Sequence, residues 1–564
     1  MLSVKKLSEQ VSVSSQITGA ELERIRALGF EAVINNRPDD EEEGQPESKD
    51  LETESKRLGL AYFSLPVVGG NITDQQIKDF DNIVESQKGS ILAFCRTGTR
   101  CAMLWALVEA KRSSSYTILK KTSDAGYDLS ALKPRIDNQK SKALSAAKQD
   151  ISYQVLIVGG GASGLAVAAS LIKRESKLDI AIIEPSEVNY YQPGWTLVGG
   201  GIFGADKTAR KTQTLLPKPV KWIKSRVATF NPEDNSVTLD DGLSVGYSKL
   251  VVAAGLQLDI EKIDGLAQTL GKNGVTTNYQ FHLAPYTWQL IRNMNEGEAI
   301  FTQPQMPIKC AGAPQKVMYL ACDFWRKSKT LNKTNVHFCS AGEGIFGIKE
   351  YVPTLMKYIK RYGIDLNFKE TLVAIDGPKK TVWFNRENDD GSLHRIHRKF
   401  DMIHVTPPQS SPDFIKYSPL ANSTGWVDVD PKTLRHVKFR HIYALGDCAS
   451  TPNAKTMAAA RKQAPVLALN LIADLHSRNE HAEYDGYGSC PLTVEYGKIA
   501  LTEFGYNGKL LPTFPTWLID GTKPSRIAWW LKVKLMPQVY WRLMLQGREW
   551  LAKPKPIKGK TTGR

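Results

Sequence analysis

The chain has 564 residues, enough for three or four structural units, and its 42% hydrophobic and 23% charged content suits a globular protein with a sizeable core. Seven cysteines are too few for a disulfide-stapled secreted scaffold. No apolar run approaches the roughly 18 residues of a spanning helix, and the opening MLSVKKLSEQ lacks the apolar core of a signal peptide. Lys and Arg outnumber Asp and Glu by 74 to 58, a net charge of +16, which fits nucleic acid or an anionic membrane surface as partner; much of the excess lies between Lys509 and Arg564, interleaved with Trp and Leu, and that pattern favours the membrane and no nucleic acid.

Residues 1–118 read as a small α/β unit. A helix is predicted over Glu21–Gly29 and a strand over Glu31–Asn35, broken at Asn36-Arg37-Pro38 and followed by an acidic loop, Asp39–Glu43. Leu60–Pro66 is predicted as a strand, Thr73–Ser86 as a helix, Ser90–Phe94 as a third strand, and a helix follows from Cys101 to about Lys111. Between the last two lies Cys95-Arg96-Thr97-Gly98-Thr99-Arg100, a loop whose backbone N–H groups, with Arg100, are suited to cradle an oxyanion beside a Cys95 thiolate. Four residues separate Cys95 from Arg100, one fewer than in protein tyrosine phosphatases and as in many rhodaneses. With Thr18-Gly19 and Val33–Asp39, the segment resembles the beta-lactamase-hydrolase-like family, which has a phosphatase-like fold and an association with sulfur metabolism. The resemblance implies catalytic roles for Cys95 and Arg100 in sulfur transfer or, as an alternative, phosphatase chemistry; a degenerate or binding role is the third reading. The family's usual residue after the Arg is Ser; Cys101 stands there instead and is able to pair with Cys95.

Residues 119–152, polar and rich in Lys, Ser and Ala, read as a linker, partly helical. A larger unit, residues 153–476, then alternates strand, helix and strand. Gln154–Val158 is an apolar strand, Gly159-Gly160-Gly161-Ala162-Ser163-Gly164 follows, and Leu165–Ile172 is a good helix. Gly159 serves the tight turn, Gly161 the approach of backbone to a pyrophosphate, and Gly164 close helix–strand packing; Ala162 and Ser163 complete the phosphate loop. The next strand, Asp179–Ile183, leads into Glu184, placed for ribose hydroxyls. Lys249–Gly255 and His441–Asp447, strands ending in small residues and in Gly-Asp, resemble those of two-dinucleotide-fold flavoproteins, which implies FAD as cofactor and puts Asp447 on its ribityl chain. The fold class is thus α/β: a tandem Rossmann-like flavoprotein carrying a small phosphatase-like domain in front.

A second glycine pattern, Gly342-Glu343-Gly344-Ile345-Phe346-Gly347, suggests an NADH site and hence a type II NADH:quinone oxidoreductase. Its position argues otherwise. The first strand of the second nucleotide-like domain is Glu298–Thr302; the loop after it, Gln303–Cys310, has prolines where a phosphate loop needs glycines. Gly342 follows the next strand along.

Cys310, just before a helix and flanked by Lys309 and Lys316, is set up to be a thiolate. Cys490 lies far along the chain. Two isolated cysteines in a redox flavoprotein suggest a disulfide that reacts with a nucleophile and then reduces the flavin. Tyr190–Gly199, Lys309–Lys316, His404–Pro408, Gly425–Asp430 and Tyr484–Tyr487 are similar to segments of sulfide:quinone oxidoreductases, most like the mitochondrial-type branch with two catalytic cysteines. The resemblance spans about Tyr153–Trp550. It implies that Cys310 and Cys490 form the redox pair: sulfide opens their disulfide and leaves a persulfide, the other thiolate passes electrons to FAD and a quinone, and a small-molecule sulfur acceptor removes the sulfur. It puts Glu184, Gln192, Val227, Asp447 and Lys455 on FAD and Phe346 and Lys349 near the quinone, with a structural role for Lys349 as the alternative. Cys322, Cys339 and Cys448 read as buried bystanders. Transfer of persulfide sulfur to Cys95 is the expected reason for the fusion.

Residues 477–564 carry Cys490 and a membrane-contacting stretch. Pro524–Trp550 mixes Trp529, Trp530, Leu531, Tyr540 and Trp541 with Arg526, Lys532, Lys534 and Arg542, the pattern of an interfacial amphipathic helix that Pro537 splits in two; a stretch packed on the protein body is the alternative. The expected setting is peripheral attachment at the cytoplasmic face of a bacterial inner membrane; homo-oligomer formation is left open. A binding or sensor protein that holds FAD without turnover is the rival of another class, disfavoured by the cysteine pair.

Overall fold

Short apolar strands alternating with helices organise both halves of the chain. A computed structural model describes residues 2–68, 71–137, 139 and 151–558. Two units change over at Ile151 and Ser152.

The first unit is a five-stranded sheet in the order Val4–Lys6, Val11–Ser14, Ser90–Phe94, Phe30–Asn35, Ala61–Ser64, parallel except at the first strand. Ser90–Phe94 is central and buried on both faces from Ile91 on, because helices cover the sheet. The helices predicted at Glu21, Thr73 and Cys101 run over Gly19–Ala27, Asp74–Ser86 and Thr99–Glu109. Two further helices, Ser48–Arg57 and Ser115–Asp124, escape the sequence reading; Ser48–Arg57 buries only Leu51 and Ser55, too few for an apolar period to show. The body of this unit also runs past the expected boundary at residue 118: Leu129 and Ile136 are buried in its core. Of the expected linker, residues 138 and 140–150 lie outside the described residues.

The second unit holds two parallel sheets. In the first, Lys221–Ile223, Ile180–Ile183, Ser152–Val158, Ser244–Val252 and Ile442–Ala444 lie side by side. In the second the order is Val275–Thr276, Met402–His404, Gly297–Gln303, Thr334–Ser340, Asp365–Asn367, all parallel. Gly297–Gln303 pairs in register with Thr334–Ser340; the proline-bearing loop follows Gly297–Gln303, and the Gly342 loop follows Thr334–Ser340. A hairpin, Gly488–Glu495 with Lys498–Phe504, packs Leu492 and Val494 into the core under the helix Ala313–Ser328.

The carboxyl-terminal stretch corrects two expectations. It is helical from Arg526 to Gln546 without a break at Pro537, because wide π turns at Leu531–Leu535 and Val539–Leu543 flank the proline and make room for the ring and the missing N–H. Many of its large apolar residues face the protein: Leu531, Val539, Tyr540, Trp541, Met544 and Leu545 are buried. Tyr540 packs against Tyr191, the rings tilted by 44° with centroids 5.1 Å apart, and donates to Asn189 Oδ1 at 2.8 Å; Glu549 accepts from Ser170 Oγ at 2.7 Å and from Arg174 Nη2 at 2.9 Å. Ile527 and Trp530 remain outside, near Trp517 in sequence, which is 84% exposed. Among the described residues no helix is long and apolar enough to cross a membrane.

Candidate functional site

One cavity in the second unit gathers most of the residues singled out in the sequence: Gly159, Gly161, Ala162, Ser163, Glu184, Gln192, Cys310, Asp447 and Lys455 all line it. Gly159 sits at φ 104°, and a Cβ there would come within 2.6 Å of the Ala253 carbonyl oxygen. Gly164 is not in the lining; a Cβ on it would lie 1.8 Å from the Gly159 carbonyl oxygen, so it serves the close approach of the helix Ala162–Arg174 to its strand. Glu184 accepts from the N–H groups of Gly160 and Ser186, each at 2.7 Å, which fixes its carboxylate at the end of its strand. Asn189 Nδ2 donates to the Gly160 carbonyl at 3.1 Å, tying the phosphate loop to Tyr540. Val227 is buried at the start of the strand Val227–Asn231 and is not among the lining residues.

At the other end of the cavity, Asp447 follows the strand Ile442–Ala444. Burial raises its pKa, against the opposing pull of Lys455 and Lys309. Lys455 donates to the Asp447 carbonyl at 2.7 Å and the Ala449 carbonyl at 3.0 Å. The helix Met457–Leu475 opens onto the same space, capped by Thr456 Oγ on the Ala459 N–H at 3.2 Å. Two helix N-termini and two carboxylates around an elongated, partly apolar cavity are the donor set of a dinucleotide with a ring system at one end.

Cys310 and Cys490, 180 residues apart in sequence, meet there with sulfurs 3.7 Å apart, both as free thiols. Cys310 stands at φ 51°, a left-handed turn between the loop and the helix Ala313–Ser328; its N–H donates to the Lys455 carbonyl at 2.8 Å. Lys316, one turn into that helix, donates to Cys310 Sγ at 3.0 Å. The hydrogen bond from Cys490 holds the Cys310 thiol well below its ordinary pKa, against burial and with the help of Lys316. Cys490 is pushed well above by the same bond and by burial. Burial works against the Lys316 ammonium, but the two sulfurs outweigh it and keep it charged. The pair is therefore a thiolate and a thiol beside a buried cation.

Sequence reasoning misplaced Lys532, expected on a basic outer face. It is buried, lines the cavity, and has its pKa lowered to about 8 by burial and by the like charge of Lys316. The wide turn that contains it has no signature in a periodicity read at 3.6 residues. Lys309 is fixed by its donation to Gln192 Oε1 at 2.6 Å. Phe346 packs edge-on against Tyr351 and Phe504, Lys349 is exposed, and neither lines the cavity. Cys322 and Cys339 are buried in core clusters, and Cys448 is buried with its thiol pushed up to about 11.

The first unit holds a site of its own at the carboxyl end of its central strand. Cys95 Sγ accepts from the Gly98 N–H at 3.1 Å, and its pKa is lowered to about 5, first by the hydrogen bond from the Cys101 thiol and then by backbone N–H groups of the loop, against burial. Arg100 donates through both terminal nitrogens to Glu41, at 2.7 Å each, and to the Val67 carbonyl at 2.7 Å. Arg37 joins the same carboxylate at 2.9 Å. Glu41 and Arg37, which orient Arg100, were legible only as an acidic loop and a chain break.

Comparison with known proteins accords with this geometry. Residues 3–112 match the phosphatase-like domain of beta-lactamase hydrolase-like proteins, and residues 153–464 match the pyridine nucleotide-disulphide oxidoreductase family. The mitochondrial sulfide:quinone oxidoreductase of Dictyostelium discoideum is 42% identical over 71% of this chain and 87% of its own length; that of Mus musculus is 39% identical over 70% and 87%. The crystal structure of the Aquifex aeolicus sulfide:quinone oxidoreductase superposes with a TM-score of 0.60 at 17% identity, over 73% of this chain and 97% of that one. The amino-terminal segment is 35% identical to the beta-lactamase hydrolase-like protein of Xylella fastidiosa over 19% of this chain, a quarter of that protein's length. A dinucleotide cavity that ends on a paired thiolate and thiol, in a chain with these relatives, places the protein in the sulfide:quinone oxidoreductase family of flavin-dependent enzymes, joined to an amino-terminal beta-lactamase-hydrolase-like domain.

Proposed function

We propose that the chain oxidises sulfide at Cys310 and Cys490, with FAD as its flavin and a membrane quinone as electron acceptor. The observation that carries this is the thiolate–thiol pair at 3.7 Å on the cavity wall, with Lys316 at 3.0 Å from the thiolate. In the oxidised state the two sulfurs form a disulfide. Hydrosulfide attacks Cys490, the S–S bond breaks, and Cys310 leaves as the thiolate; the lower-pKa sulfur is the better leaving group, and Lys316 stabilises its charge. Cys490 keeps the added sulfur as a persulfide. Cys310 lines the cavity and Cys490 does not, which supports Cys310 as the sulfur that faces the flavin. Bound FAD would supply a two-electron acceptor for the sulfur chemistry and a donor to the quinone. Gly159–Ser163, Glu184 and Asp447 would hold it, with Gln192 and Lys455; Val227 rests on the family resemblance.

Release of the persulfide sulfur to a small-molecule acceptor, or to Cys95, completes the cycle. A Cys95 thiolate at physiological pH in a loop one residue tighter than a phosphatase's supports sulfur over phosphate. The exposed Trp517, Ile527 and Trp530, with Lys523, Arg526 and Lys534 beside them, support peripheral docking on an anionic membrane, where quinone is found.

The test is anaerobic mixing of the purified protein with sulfide or with NADH while flavin absorbance is followed, then addition of a quinone. Sulfide should bleach the flavin, quinone should restore it, and Cys310→Ser should abolish the bleaching. Bleaching by NADH with indifference to sulfide would overturn the proposal.

A further inference from the structure

Behind the Cys95 loop stands a second sulfur that the reaction above does not use. Cys101 lies in the first turn of the helix Thr99–Glu109, fully buried in the same core cluster as Cys95, and its thiol is the largest influence that lowers the Cys95 pKa. It keeps its proton, because burial and the neighbouring Cys95 thiolate both push its pKa well above the ordinary value. The Gly98 N–H also donates to Cys95, at 3.1 Å. Arg100, one residue before Cys101, is held by Glu41 and the Val67 carbonyl. A serine at position 101 would supply the same hydrogen bond. A thiol supplies, in addition, a nucleophile in the same buried cluster as Cys95.

We propose that Cys101 resolves a persulfide formed on Cys95, so that the amino-terminal unit releases hydrosulfide and closes a Cys95–Cys101 disulfide. This rests on the reading of Cys95 as an acceptor of persulfide sulfur. In the first step the Cys95 thiolate attacks the outer sulfur of a persulfide anion, the donor's S–S bond breaks, and the donor leaves as a thiolate. In the second step the Cys101 sulfur attacks Cys95 Sγ, the bond from Sγ to the added sulfur breaks, and that sulfur departs with the Cys101 proton as HS⁻. One sulfane sulfur is reduced to hydrosulfide while two cysteine sulfurs are oxidised to a disulfide. Two equivalents of a low-molecular-weight thiol reopen the disulfide and become a disulfide themselves. The hydrosulfide released is the substrate of the flavoprotein half.

Trypsin separates the two cysteines, since Lys88, Arg96, Arg100 and Lys111 bound the peptides 89–96 and 101–111. The experiment uses the full chain carrying Cys310→Ser, which silences sulfide consumption, and the same chain with Cys101→Ser added. Each is reduced, desalted and treated anaerobically with glutathione persulfide. After acid quenching and thiol blocking, peptides are read by mass spectrometry and hydrosulfide is measured. The expected result is a disulfide-linked 89–96/101–111 pair and about one equivalent of hydrosulfide per chain beyond that from the Cys101→Ser protein. In the Cys101→Ser protein, peptide 89–96 should instead carry one extra sulfur. An extra sulfur on peptide 89–96 in both proteins, with no linked pair, overturns the inference and leaves Cys95 as a sulfur carrier. No extra sulfur on that peptide in the Cys101→Ser protein overturns the reading of Cys95 as acceptor, and the inference with it.

Discussion

Three sulfurs in this chain share one chemistry, and their neighbours set them apart. Cys310 and Cys95 are thiolates because a second cysteine donates to each; Cys310 has Lys316 besides, and Cys95 has loop N–H groups. Cys448 beside Asp447 is pushed up to about 11 by burial, which outweighs Lys455 and the backbone hydrogen bonds of Ala254 and Gly255 and leaves it a thiol. Two predictions follow from these contacts. Lys316→Met should slow sulfide-driven flavin bleaching at neutral pH by roughly tenfold or more, since the departing Cys310 thiolate loses its cation, and should move the pH profile to the alkaline side, read by stopped-flow absorbance. Cys101→Ala should raise the Cys95 pKa from about 5 toward that of a free thiol, whereas Cys101→Ser keeps a donor and should hold it low. The check is thiolate absorbance near 240 nm, taken as a difference from Cys95→Ser and titrated from pH 4 to 9; an unchanged midpoint in Cys101→Ala would show that the loop N–H groups suffice.

Among the elements, the cysteine hairpin has little freedom. A Cβ at position 312 would lie 2.4 Å from Leu492 Cδ2 and 2.6 Å from Cys490 Sγ, so Gly312→Ala should displace the strand that carries Cys490. Flavin content should stay near that of the wild type while sulfide-dependent turnover falls at least about tenfold, as a shift of an ångström in a reacting pair implies. The inner strands Ser152–Val158, Ile180–Ile183 and Gly297–Gln303 were legible because their cores are buried on both faces and read as continuous apolar runs, whereas the half-exposed edge strands Lys221–Ile223 and Asp365–Asn367 were not. Strand order places the Gly342 pattern after Thr334–Ser340 and not after Gly297–Gln303. The alternating Val11-Ser12-Val13-Ser14 strand was missed: its serines are buried along with its valines, so no apolar run announces it. The pairing of Cys310 with Cys490 spans 180 residues and came from family resemblance, for no local pattern encodes a contact at that separation. Lys532 was misjudged because a wide turn shifts its phase.

For the molecule as a whole, the proposed reaction has electrons enter at Cys310 and Cys490 and leave to a quinone. The loop after Gly297–Gln303 carries Pro304 and Pro307 and ends on Cys310, so a thiol stands where related folds approach a nicotinamide. NADH should therefore fail to bleach the flavin at concentrations at which sulfide does so fully. On the outside, replacing Trp517, Ile527 and Trp530 together by Ser should weaken sedimentation with phosphatidylglycerol vesicles by at least about tenfold, and added salt should weaken what remains. Turnover with a water-soluble quinone should be spared, because none of the three lines the cavity; equal vesicle binding by the variant would place the docking face elsewhere.

The π turns at Leu531–Leu535 and Val539–Leu543 have a consequence for how this tail tolerates change in length. A π turn is in effect an α-helix with one residue inserted, and each residue turns the helix by about 100°. A wide turn takes about one residue more than an α turn, so deleting one residue from Leu531–Leu535 would restore regular helix there and leave the downstream azimuth nearly unchanged. Tyr540 would still reach Asn189 and Glu549 would still reach Arg174, whereas the same deletion from a regular turn would swing Trp541 and Leu545 out of the core. In this part of the chain a one-residue gap between homologues is tolerated best inside a wide turn.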